Sequence, residues 1–77
     1  MAGQTRDTQI IKSFGDKVRE IRKQKGLSQE QLANDADLEL SQVNRIELGK
    51  INTSISQIAA LAKALQVHPK ELFEFTF

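Results

Sequence analysis

The 77-residue chain has no cysteine, tryptophan or tyrosine, and only one histidine and one proline. Without cysteine there is neither a disulfide framework nor a thiolate metal site, and such a composition suits a reducing compartment. His68 alone supplies no metal cluster and no Ser/His/Asp or Cys/His constellation. No glycine-rich loop is present to cradle a phosphate. An enzyme, a metal and a cofactor are therefore not expected. No run approaches the roughly 18 apolar residues of a membrane span. The opening MAGQTRDTQ lacks the apolar core of a signal peptide. The expectation is a soluble, cytoplasmic protein with no membrane partner.

Strong net charge is also missing. Eleven Lys/Arg face ten Asp/Glu, for a formal balance of +1, which is short of what would by itself suggest nucleic acid. The distribution says more. Residues 1–26 carry seven Lys/Arg against three Asp/Glu, whereas residues 27–50 carry two against five. The positive charge gathers at Lys17, Arg19, Arg22, Lys23 and Lys25.

What is present is helical periodicity, in a chain long enough for one small domain that buries about 60% of its unfolded surface. After a polar, unpatterned arm over 1–8, Ile10, Phe14, Val18 and Ile21 recur at helical spacing until Gly26, predicting a helix over about 9–25. Ser28 with Gln31 forms a capping box that opens a second helix over 28–36, with Leu32, Ala33 and Ala36 on one face. After a corner at Asp37-Leu38, Val43 and Ile46 define the buried face of a third helix over 39–48, which Gly49 ends in left-handed backbone. Ser54 with Gln57 opens a fourth over 55–66, carrying Ile55, Ile58, Leu61, Ala62 and Leu65. Pro69, at a first helical position, opens a short fifth over 69–74 with Leu72 and Phe73 facing inward. No repeat, linker or strand pattern interrupts this order before the Phe73, Phe75, Phe77 alternation.

Two short helices over a tight corner form a helix-turn-helix, whose second helix is shaped for a major groove. The segments LSQEQLA at 27–33, VNRIELGK at 43–50 and ISQIAALAKALQVHPKELF at 55–73 resemble the lambda-repressor-like, XRE-type regulators. The resemblance covers about residues 10–74. It implies an all-α, five-helix lambda-repressor-like DNA-binding domain with the helix-turn-helix at helices two and three. The chain departs from the family at the corner. Asp37 stands where Gly is usual, Glu39 replaces a Ser or Thr cap, and Leu40 replaces a polar reading residue. Asp37 either enters left-handed backbone or caps the third helix itself.

On a helical wheel Ile46 and the Glu39, Leu40, Glu47 side turn toward the core, opposite Ser41, Arg45 and Leu48. Ser41, Gln42, Asn44 and Arg45 are thus the base-edge candidates, Arg pairing with guanine and Asn or Gln with adenine. The resemblance assigns Gln29 to a phosphate at the start of helix two. Lys50, Asn52 and Lys25, with Lys23, are further backbone candidates. It also assigns Arg22 and Glu47 to a structural ion pair. His68 reads as a cap or surface residue. Phe75 and Phe77 lie beyond the last helix and, with Phe73, suggest an apolar interface. The domain reading is a flexible arm at 1–8 and one helix-turn-helix domain at 9–77 ending in a dimerisation tail. The expected function is a homodimeric, sequence-specific regulator on double-stranded DNA. The alternative is an antitoxin-like module with a protein partner.

Overall fold

The computed structural model describes residues 6–76. Four α-helices, α1 (Thr8–Gln24), α2 (Gln29–Ala36), α3 (Leu40–Glu47) and α4 (Ile55–Leu65), precede a 3₁₀ helix at Pro69–Phe73. There is no strand among the described residues. The helix starts follow local chemistry. Ser28 and Ser54 each accept from the backbone N–H three residues on, while Gln31 and Gln57 reach back to the cap N–H. A cap that the periodicity did not reveal opens α1: the Asp7 carboxylate accepts from the N–H groups of Gln9 and Ile10. Residues expected to belong to a flexible arm are therefore built into the domain from Arg6 onward. Arg6 also donates from Nη2 to the Lys50 carbonyl at 3.0 Å. The rest of that arm lies outside the described residues.

All four α-helices stop in the same way. A residue with positive φ (Gly26, Asp37, Gly49 or Gln66) turns the chain, and the next N–H returns to a carbonyl five residues earlier. Asp37, at φ 56°, takes the left-handed option rather than capping α3. Its Cβ is tolerated because a short polar side chain carries the smallest penalty there after glycine. The N-cap of α3 is Glu39. This sharp reversal between α2 and α3 sets the corner, and partly buried Leu38 packs it onto the core.

The core is made where the four helices meet. Val18 of α1, Leu32 of α2, Val43 and Ile46 of α3, Leu61 and Leu65 of α4, and Leu72 are essentially excluded from water. Each large apolar side chain so buried stabilises the fold by about 1.5–3 kcal/mol. Against this interior, α1 and α3 approach closely at Gly15, where a Cβ would collide with the Ile46 carbonyl oxygen.

Two expectations are corrected at the C-terminal end. The fifth helix is a single 3₁₀ segment: five residues cannot offset the nucleation of a regular α-helix. It ends when the Phe75 N–H bonds back to the Phe73 carbonyl, with Glu74 at φ −81°, ψ 76°, an inverse γ-turn. The tighter winding turns only Leu72 fully inward, leaving Phe73 39% exposed. Phe75 is half-buried and packs against the core within the same copy, so it is not the unburied residue the pattern suggested. Phe77 lies outside the described residues.

Candidate nucleic-acid interface

The third helix buries Val43, Ile46 and Glu47 and turns Leu40, Ser41, Asn44, Arg45 and Leu48 to solvent. Three of the four base-edge candidates, Ser41, Asn44 and Arg45, thus share one open face. Gln42 does not. It is half-buried, and its side-chain oxygen accepts from the Glu39 N–H at 2.9 Å, closing the N-terminus of α3. That bond follows from the N3 position of a helix, which points back at the cap. The wheel also misplaced Leu40 and Glu39, which are exposed rather than core-facing. Both lie at the start of α3, where the chain has only just left the Asp37 corner.

Behind the open face lies a chain of hydrogen bonds joining three helices. Arg22 of α1 donates from Nε to Glu47 Oε2 at 2.6 Å and from Nη2 to Glu47 Oε1 at 3.0 Å. Its Nη1 donates to the Leu27 carbonyl at 2.8 Å, anchoring the loop before α2. Gln29, the first residue of α2, donates to Glu47 Oε1 at 2.9 Å, and its own oxygen accepts from Asn44 at 3.4 Å. The carboxylate is 1% exposed, so the bidentate pair is desolvated and geometrically exacting. No buried side-chain polar atom is left without a partner among the described residues. The arrangement sets the amide of Gln29 and the carboxamide of Asn44 in a defined orientation before any ligand arrives.

Gln29 and Asn44 share a depression with Lys12, Asp16 and Arg19 of α1. Arg19 and Lys12 were not singled out from the sequence as binding residues. The clustering of positive charge on the first helix was the available signal, but it does not say which face of the helix meets α2. Lys12 is paired with Asp16 at 2.6 Å in an exposed i,i+4 bridge, whereas Arg19 is exposed. The remaining phosphate candidates lie apart from this cluster. Lys50 and Asn52 follow α3 and are exposed, Asn52 bordering an apolar groove rather than the α2 start. Lys25 is exposed at the end of α1.

The helix-turn-helix family model matches residues 18–72, most of the chain. The chain belongs to the helix-turn-helix family. It is 47% identical over 64 residues to the control protein C.BamHI of Bacillus amyloliquefaciens, covering 82% of this chain and 79% of that protein. It is 38% identical over 61 residues to the control protein C.MunI of a Mycoplasma species, covering 78% and 82%. Among solved structures, the restriction-modification controller protein C.AhdI from Aeromonas hydrophila superposes with a TM-score of 0.81 at 46% identity. That match covers 82% of this chain and 96% of that one. This helix-turn-helix protein is a sequence-specific, DNA-binding transcription regulator of the XRE type, a family of regulators rather than enzymes. Among the described residues, no helix is long and apolar enough to cross a membrane.

Proposed function

We propose that this chain is a homodimeric, cytoplasmic controller of restriction-modification genes, placing α3 in successive major grooves of a near-palindromic operator. The observation that carries the DNA part is the open face of α3, with Ser41, Asn44 and Arg45 exposed and Asn44 held from behind through Gln29 and Glu47. Arg45 would clamp guanine O6/N7 and Asn44 an adenine edge, with Ser41 beside them. Gln29, at the N-terminus of α2, is suited to a phosphate, and Arg19 lines the same depression. Lys25, Lys50 and Asn52 are assigned to the flanking backbone. The restriction-modification role is taken from the similarity to control proteins across most of the chain.

Self-association is assigned to the surface around Phe73, which is 39% exposed, with the 85% exposed Ile55 as a second apolar candidate. An apolar groove of about 180 Å³ between Ile10, Ile51, Ile58 and Phe73 continues that surface. Phe73 packs on Phe14 with ring centroids 5.1 Å apart and on Phe75 at 6.2 Å, so it presents a rigid aromatic edge. Removing this apolar surface from water favours a twofold dimer with reading helices about 34–36 Å apart.

Selection of binding sites from a random duplex pool tests the function. It should return an inverted repeat, and that repeat should occur upstream of restriction-modification genes in the source genome. A selected site without dyad symmetry would refute the dimeric reading. A site found only elsewhere would refute the controller role. Sedimentation provides the independent check, with the chain dimeric and Phe73→Ser monomeric at tens of micromolar.

A further inference from the structure

We propose that Leu40 is a base-reading residue that recognises the C5-methyl group of thymine in the major groove, an inference that rests on α3 being the groove helix. Leu40 is the first residue of α3 and is 47% exposed. It takes no part in the hydrophobic core, since Leu38 packs the corner and Val43 and Ile46 anchor the helix. Asn44 follows it by four residues and is also exposed, so the two side chains share one face. In a helix-turn-helix the N-terminal residues of the second helix are the ones that meet base edges.

The surroundings narrow the ligand. Glu30, Asp37 and Glu39 line the same depression as Leu40. Three carboxylates around a side chain repel phosphate, so Leu40 is not suited to a sugar-phosphate contact. A leucine has no donor or acceptor for the polar base edges there. The one apolar group that a base presents in the major groove is the thymine methyl. Leu48 is comparably exposed at 49%, but it lies at the opposite end of α3 beside Lys12 and Arg19, where the cations favour phosphate. The two leucines therefore differ in what they can meet.

The test replaces each thymine of the selected site in turn by deoxyuridine, which lacks only the methyl group, and measures affinity for the full chain, Leu40→Ala and Arg45→Ala. At one thymine per half-site the unaltered protein should lose about fourfold, the value of one buried methyl group. Leu40→Ala should bind thymine and uracil equally there, while keeping its preference at the Arg45 base pair. Leu40 is exposed, so this variant should retain its helix content, which circular dichroism checks. If uracil is tolerated at every position by the unaltered protein, or if Leu40→Ala shows the same loss, Leu40 does not read thymine. Should neither Arg45→Ala nor Leu40→Ala change any base preference, α3 is not the reading helix, and the Leu40 assignment falls with that broader reading. Relaxed preference in Arg45→Ala together with indifference to uracil overturns the Leu40 assignment alone.

Discussion

The Glu47 carboxylate accepts from Arg22 on α1 and from Gln29 on α2 at the same time, so its removal acts on two helices besides its own. Glu47→Ala leaves a buried guanidinium uncompensated and should destabilise the fold by about 3–5 kcal/mol, read as a lower urea midpoint. The double variant Arg22→Met/Glu47→Leu removes both charges and should recover much of that loss. Its DNA affinity should stay reduced, because Gln29 has lost the acceptor that orients it. Equal recovery of stability and affinity would show that the pair only braces the fold. Arg45→Ala should lower affinity by about 1–3 kcal/mol at one base pair of each half-site and relax preference there. Lys50→Ala should weaken all duplexes alike, since a backbone contact carries no sequence information. If both variants weaken binding uniformly, Arg45 contacts phosphate.

Among the elements, the seam between α1 and α3 decides how the reading helix is presented. Gly15 and Gly49 make that seam close: a Cβ at Gly15 meets the Ile46 carbonyl oxygen, and one at Gly49 comes within 2.9 Å of the Lys12 Cα. Gly15→Ala has two opposed effects. Alanine in a helix interior gains up to about 1 kcal/mol over glycine. Forcing a methyl group against backbone costs about 1–3 kcal/mol. The contact is with backbone, which cannot rotate away, so the steric term should prevail and the variant should melt at a lower temperature. Its DNA affinity should fall further than the stability loss explains, because α3 moves relative to Gln29. A melting temperature equal to or above that of the unaltered chain would show that the seam relaxes freely.

For the whole molecule, a formal charge of +1 conceals the separation between a basic α1 and an acidic corner around Glu30, Asp37 and Glu39. DNA binding should be strongly salt-dependent despite the balanced total, since affinity depends on local phosphate contacts. With about four to six phosphates neutralised per dimer, log K should fall against log salt with a slope of about −4 to −5. Titrations of one specific duplex between low and moderate salt measure this slope. A flat response would place the affinity in uncharged contacts alone. The acidic corner should act in the opposite sense, since its carboxylates repel phosphate and so disfavour poses that press the start of α3 against a backbone.

Much of this architecture is written locally. The serine capping boxes at 28 and 54, the apolar spacing of Leu32, Val43, Ile46 and Leu61, and the left-handed stop at Gly49 each depend on a few adjacent residues. They could be read without a fold for that reason, and so could the helix-turn-helix and the exposure of Ser41, Asn44 and Arg45. Two local caps escaped the reading because apolar periodicity does not register them: Asp7 accepts from Gln9 and Ile10, and Gln42 closes the start of α3 where a wheel shows an open flank. Other features required the helices to be brought together. A wheel gives directions about one axis, not the position of the neighbouring helix, so it sent Leu40 inward although the corner leaves it in solvent. Phe75 appeared unburied because the sequence does not show that a 3₁₀ turn folds it back onto the core. The chain from Arg22 through Glu47 and Gln29 to Asn44 joins residues that are far apart along the sequence and lie on three helices. Local sequence determined which segments are helical and that Ser41, Asn44 and Arg45 of α3 face solvent. Only tertiary packing decided how those side chains are held, because their partners come from other helices.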